Sequence, residues 1–180
     1  MIIGLSGPQG GGKDTIGKGL AEIFHLDVDR FAAKLYDMAR AFDPVFHPLM
    51  PHSEKDGYVL GDPALGTRRN FLEKLGTEFG RNLIHSNLWT KATMHRVGIL
   101  PTILVDVRYE NEAEAIRDAG GLVVHLRPDW TTFGGKHSSD HALSPQAGDL
   151  VAPLVAGNYE ADLQFIADKI ASRFERRSGN

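Results

Sequence analysis

An α/β domain, built on a parallel sheet of about five strands with helices over both faces, is the fold the sequence predicts. Three observations carry that expectation. Short apolar runs alternate with segments of helical periodicity along most of the chain. The run at 102–107 is almost unbroken in aliphatic residues, the pattern of a strand buried on both faces. Ile2, Ile3 and Leu5 lead straight into Gly7-Pro8-Gln9-Gly10-Gly11-Gly12-Lys13-Asp14-Thr15, a strand, a glycine-rich turn and the start of a helix.

The elements follow in order. The first strand, through Leu5, precedes a helix that carries Ile16, Leu20, Ile23 and Phe24 at helical spacing. Residues 26–28 make a second short strand and 31–42 a second helix, with Leu35, Met38 and Ala39 on its apolar side. Periodicity lapses over 43–66, which holds Pro44, Pro48, Pro51 and Pro63 and is expected to be an irregular insertion, either a segment that covers the substrate side or a long surface loop. A long helix over 68–85 puts Leu72, Leu75, Phe79 and Leu83 on a core face and Arg69, Glu73, Gly76 and Gly80 on another. Asn87 caps the next helix, 88–95. After the 102–107 strand, Asn111 with Glu114 three residues on forms a capping box, and Gly120-Gly121 ends that helix. Strands at 122–126 and 150–155 flank a polar, Gly- and His-containing segment, 128–148, expected to be a loop, and Asn158 caps a final helix.

Composition narrows the function. A chain of 180 residues, 42% hydrophobic, suits one domain spanning 1–180. With no cysteine, disulfides, cysteine-bound zinc and thiol nucleophiles are excluded. The opening apolar run is too short for a membrane span or signal core, so a cytoplasmic protein is expected. A net charge of -3 argues against binding a nucleic acid polymer. An anionic ligand must then be gripped by a few placed cations.

Residues 7–13 fit G-x-x-x-x-G-K, in which glycines let backbone N–H groups turn onto phosphate oxygens and Lys13 reaches the outer phosphates. A helix N-terminus directly after it favours an anion. The alternative is an ordinary glycine-rich turn. Asp14 stands where the general pattern has a metal-binding hydroxyl, so Thr15 is left to offer its hydroxyl to phosphate, and Asp14 to act on Mg²⁺ through water or to favour the helix start. On the 68–85 helix, two glycines beside Arg69 imply that something packs close to the backbone. Either a nucleotide does, with Arg69 clamping its phosphate, or a second helix does. Trp89 is equally a base-stacking or a core residue. Asp106 and Arg108 end a strand, where ligands of open α/β sheets bind, and Arg108 there is aimed at charge on a transferring phosphoryl group. Paired with each other they would be a plain salt bridge. Arg127 ends a strand and opens the lid. His137 and His141 fit solvated loop histidines better than a metal pair.

Residues 7–15 resemble the phosphate loop of nucleoside monophosphate kinases, and the Gly12-Lys13-Asp14-Thr15 ending resembles that of the bacteriophage deoxynucleoside monophosphate kinases. Thr67-Arg68-Arg69 with Leu72-Glu73-Lys74-Leu75-Gly76-Thr77-Glu78 is similar to that family's T-P-R-x-x-L-Q-x-L-G-T-E helix, with Trp89 at a fitting distance. Arg68 stands where the family often has Pro and Glu73 where it often has Gln. Residues 106–112 resemble its D-x-R-x-x-N-E segment, and Arg127 with 137–140 its lid. The resemblance implies a P-loop kinase fold and transfer of the γ-phosphoryl group of ATP, with Mg²⁺, to a (deoxy)nucleoside monophosphate. It assigns ATP to Gly7, Gly10, Gly11, Gly12, Lys13, Asp14, Thr15 and Arg127. The acceptor falls to Arg69, Glu73, Gly76, Thr77, Trp89, Asp106, Arg108 and Glu112, and catalysis to Lys13, Asp14, Arg108 and Arg127. Metal falls to Asp14 and Asp106. A viral supply role in a host cytoplasm goes with that family, and a homodimer is left open.

Three rivals remain at this level. A regulatory GTPase lacks support, because neither Asn-Lys-x-Asp nor Asp-x-x-Gly after a strand is present. A kinase of another small metabolite differs only in the Arg69 to Trp89 region. A nucleotide-binding module without turnover would have little use for Lys13 with Arg69, Arg108 and Arg127.

Overall fold

The computed structural model of the chain describes residues 1–131 and 143–178, without the side chains of His52 and of 176–178. It divides into two compact units, Met1–Arg30 with Ile99–Asn180, and Phe31–Gly98.

The first unit is an all-parallel sheet of five strands flanked by helices. The strands are β1 (Ile2–Ser6), β2 (Asp27–Asp29), β3 (Thr102–Val107), β4 (Leu122–Pro128) and β5 (Leu150–Leu154), in the spatial order β2-β3-β1-β4-β5. Strand alternation divides their side chains between two faces. Ile3, Leu5, Ile103, Val105, Val124 and Leu126 join Ile16 and Leu20 of α1 (Lys13–Phe24) and Ile166 and Ile170 of α7 (Tyr159–Ser178) in one buried cluster. On the other face α6 (Glu110–Asp118) packs on β1 and β4, burying Ala113 and Ile116. Each such aliphatic side chain contributes about 1.5–3 kcal/mol when fully buried. The α/β fold and its parallel sheet are therefore as the periodicity predicts.

The order of strands has a consequence for ligands. From β1 the chain goes by α1 towards the β2 edge, and from β3 it crosses by α6 to β4 and on to β5. Neighbours β1 and β4 thus send the chain in opposite directions. Such a switch point opens a crevice at the carboxyl ends of the strands.

A buried polar network ties the chain after the undescribed stretch to this sheet. Asp149 accepts from Arg117 Nε at 3.1 Å and Nη2 at 2.8 Å, pairs with His125 Nε2 at 2.9 Å, and accepts the Gln146 N–H at 2.9 Å. Burial pushes the Asp149 pKa up, but these donors more than offset it and hold the carboxyl below its ordinary range. Burial also lowers the pKa of His125, against the pull of Asp149, so its neutral form is favoured.

The helix after β3 starts earlier than expected. Its cap is Tyr109, not Asn111, because the Glu112 carboxylate turns back to accept the N–H groups of Arg108 at 2.9 Å and Tyr109 at 3.2 Å.

The second unit holds α2 (Ala33–Arg40), α3 (His52–Lys55), α4 (Arg68–Glu73), a π-helical continuation (Lys74–Ile84) and α5 (Leu88–Val97). Its core gathers Tyr36, Ala39, Phe46, Met50, Val59 and Leu72. The irregular 43–66 segment is organised by one buried ion pair. Asp43 accepts Leu60 N–H at 2.9 Å, Val45 N–H at 3.1 Å and Arg68 Nε at 3.1 Å. Burial alone would raise the Asp43 pKa, yet these three donors together lower it.

The 68–85 helix departs from the α-wheel drawn for it. From Lys74 it widens into π geometry, and His85 N–H closes on Gly80 O at 3.0 Å. The wider turn rotates Phe79 and Leu83 out to solvent, 41% and 74% exposed, and turns Gly76 and Gly80 inward. A Cβ on Gly76 would lie 3.1 Å from Leu35, and one on Gly80 2.5 Å from the Trp89 ring. Trp89 is itself fixed by its indole N–H, which donates to Gly76 O at 2.8 Å. Gly80→Ala sets two effects against each other: Ala gains about 1 kcal/mol in helix propensity, while overpacking a ring that cannot retreat costs about 1–3 kcal/mol. The expected outcome is a lower melting temperature; an unchanged or higher one would mean that the ring gives way.

Candidate functional site

The site begins with the turn after β1. Gly10 and Gly12 hold φ of +71° and +79°, left-handed backbone that other residues resist. Gly11 N–H closes on Pro8 O at 3.1 Å, and Ile16 N–H on Gly12 O at 2.9 Å starts α1. The turn lies at the switch point, for a Cβ on Gly7 would meet Leu126 at 3.2 Å and one on Gly11 would meet Pro128 at 3.2 Å. Within it the Lys13 ammonium folds back to donate to Gly7 O at 2.8 Å and Pro8 O at 2.7 Å.

Charges from three strand ends converge on Lys13. Its pKa falls to about 8, first from burial, then from Arg108, with Arg30 adding to the fall and Asp14 and Asp106 opposing it. Asp14 opens α1, Arg30 follows β2, Asp106 lies in β3 and Arg108 follows it. The Arg30 guanidinium is ion-paired with Asp14. Arg108 is exposed, and Asp106 is half-buried and already partnered. Three cations and two carboxylates at one sheet edge leave a surplus positive charge beside backbone that suits an anion. Asp14 and Asp106 are hard oxygen donors of the kind Mg²⁺ takes in ones and twos alongside substrate phosphates. Among the described residues no three His, Asp or Glu side chains gather into a ready-made metal cage.

Other expected residues are placed differently. Thr15 is exposed beside Asp14, with its carbonyl 3.5 Å from the Tyr159 hydroxyl. Arg127 is half-buried at the end of β4, donates to Leu143 O at 3.3 Å, and is not among the charges acting on Lys13. In the second unit, Arg69 pairs with Asp56 through Nε at 3.0 Å and Nη2 at 2.8 Å, while Glu73 and Thr77 are half-buried. Three residues assigned to a substrate are taken up by packing or capping. Gly76 faces Leu35, and Trp89, 5% exposed, lies against Gly80, the close helix-to-helix contact that was the alternative for this face. Glu112, 3% exposed, has its carboxylate taken up by the backbone it caps. His137 and His141 lie outside the described residues, as does most of the expected lid.

Two residues of the site had not been singled out in the sequence. Arg30 adjoins an Asp-Val-Asp run that read only as strand, and its reach to Asp14 depends on the strand order. Trp130 lies along the loop, its indole N–H donating to Gly10 O at 3.1 Å, with the ring 45% exposed. A tryptophan two residues past Pro128 was the available signal.

Comparison of the chain with protein-family models and with curated proteins finds no match. No helix among the described residues is long and apolar enough to cross a membrane.

An anion held by Lys13 would bind with a dependence on pH. With a pKa of about 8 in the free protein, it loses charge as pH rises, whereas the arginines do not. Affinity for inorganic pyrophosphate, measured by isothermal titration, is expected to fall about tenfold from pH 7 to pH 9. Lys13→Met should flatten that dependence, and a wild-type profile already flat would count against Lys13 as the anion's partner.

Proposed function

We propose that the chain is a P-loop kinase that transfers the terminal phosphoryl group of ATP to a nucleoside monophosphate, with deoxynucleotides as acceptors. The observation that carries this reading is the gathering of Lys13, Asp14, Asp106 and Arg108 around the loop of residues 7–13 at the carboxyl edge of the parallel sheet. The resemblance of the loop and of the 67–78 and 106–112 segments to deoxynucleoside monophosphate kinases supports the choice of acceptor.

Phosphoryl transfer asks little covalent chemistry of a protein and much positioning and charge. In this reading the loop N–H groups and Lys13 hold the outer phosphates of ATP, for which the ammonium must leave the carbonyls of Gly7 and Pro8. Arg108, exposed just past β3, would meet the charge that builds on the transferring group. Bound Mg²⁺ would neutralise phosphate charge, and Asp14 and Asp106 are the residues that would hold it, directly or through water. Arg69 takes the acceptor's phosphate in place of Asp56, whose Oδ1 now accepts from its Nε and Nη2, an exchange of one anion for another. Closing the site against water keeps the phosphoryl group from hydrolysis.

The test is ADP release from ATP and Mg²⁺ against a panel of ribo- and deoxyribonucleoside monophosphates. At least one deoxynucleotide should be phosphorylated. Folded protein that is inactive with every acceptor, or that only hydrolyses the nucleotide, would overturn the reading. On the best acceptor, Arg108→Ala should lower kcat by about 10²- to 10³-fold, the scale of losing a donor aimed at developing charge. Arg69→Ala should instead mainly raise the acceptor's KM. A shift in KM alone for both variants would remove the division of labour between them.

A further inference from the structure

We propose that Arg30 is a phosphate-binding residue of this site, held on Asp14 until the donor nucleotide's phosphates arrive. The proposal rests on the reading of residues 7–13 as the donor loop and adds a residue to it. Arg30 directly follows β2, the edge strand next to β3, and its backbone is fixed there by its own N–H, which donates to Asp29 Oδ1 at 2.7 Å. The side chain is 15% exposed, so its stem is packed rather than solvated, while its Asp14 partner is 57% exposed. A guanidinium anchored in this way is delivered to the loop by the fold.

Charge explains why it is needed. Asp14 adjoins the lysine that must hold phosphate, and an uncompensated carboxylate there repels the same ligand. Arg30 cancels that charge in the empty site. When phosphate arrives, the planar fork can exchange a carboxylate oxygen for a phosphate oxygen, since both anions suit the same donors, and the Asp14 carboxylate, 57% exposed, is left to solvent. Asp14, the partner of Arg30, directly follows Lys13 at the start of α1. The phosphate within range of Arg30 is therefore the one held by the loop.

The test uses the full chain and isothermal titration of ADP in EDTA, which removes metal from the comparison, for wild type, Arg30→Gln, Arg30→Lys, Asp14→Asn and the double variant Asp14→Asn/Arg30→Gln. A deoxynucleoside monophosphate is titrated separately, and melting curves check that each variant is folded. Arg30→Gln should weaken ADP about tenfold or more, the scale of a charge-assisted hydrogen bond, and Arg30→Lys should recover part of it. Asp14→Asn should bind ADP at least as tightly as wild type, and adding Arg30→Gln to it should again cost about tenfold. Monophosphate affinity should be unchanged. Loss of the Arg30 effect in the Asp14→Asn background would reduce Arg30 to a partner of Asp14 and overturn the proposal, as would unchanged ADP binding in Arg30→Gln or a loss confined to the monophosphate. A wild-type chain that binds no ADP would instead fail the donor-loop reading and take this proposal with it.

Discussion

The turn after β1 depends on one interaction, the Lys13 ammonium donating to the carbonyls of Gly7 and Pro8. It closes the loop on its own lysine and keeps a cation, already weakened by burial and by Arg108, at the carboxyl edge of the sheet. An ammonium tied to neutral carbonyls gains less than one tied to an anion, because only the anion adds attraction between two full charges to the hydrogen bond. The arrangement stands ready to be exchanged. Gly10 and Gly12 supply the left-handed turns that bring the lysine back, and the parallel strands bring Arg30, Asp106 and Arg108 to the same edge.

The two units use polar burial in the same manner. In each, one carboxylate gathers donors from distant segments, Asp149 from Arg117, His125 and Gln146, and Asp43 from Arg68, Val45 and Leu60. A buried carboxylate left without these partners would carry the full cost of desolvation, so each network specifies the path of its loop as well as stabilising it. Asp149 fixes the path of residues 146–149, and Asp43 fixes the proline-rich 43–66 segment.

The sheet was legible because its signal is local. Near-continuous apolar runs such as 102–107 can be satisfied only by strands covered on both faces, and the glycines of 7–13 have few uses directly after a strand. Lys13, Asp14, Asp106 and Arg108 were legible for the same reason, since each sits at the end of such an element. Arg30 was not, because its closeness to Asp14 arises from strand order, which no short window carries. The 68–85 helix misled in a different way. Its wheel assumed 3.6 residues per turn, and π geometry rotates Phe79 and Leu83 outward while Gly76 and Gly80 turn in to meet Leu35 and Trp89. Glu112 shows that an acidic residue beside a site can be consumed by capping; its distance of three residues from Tyr109 was the available sign.

The central claim is that the loop of residues 7–13 is built to surrender Lys13 to a phosphate. A crystal structure of the chain with Mg²⁺ and a non-hydrolysable ATP analogue tests it most directly. The expected result has the Lys13 ammonium off the carbonyls of Gly7 and Pro8 and on phosphate oxygens, with Gly10 and Gly12 keeping their left-handed backbone. A fully occupied analogue bound elsewhere, with Lys13 still on its own carbonyls, would contradict it.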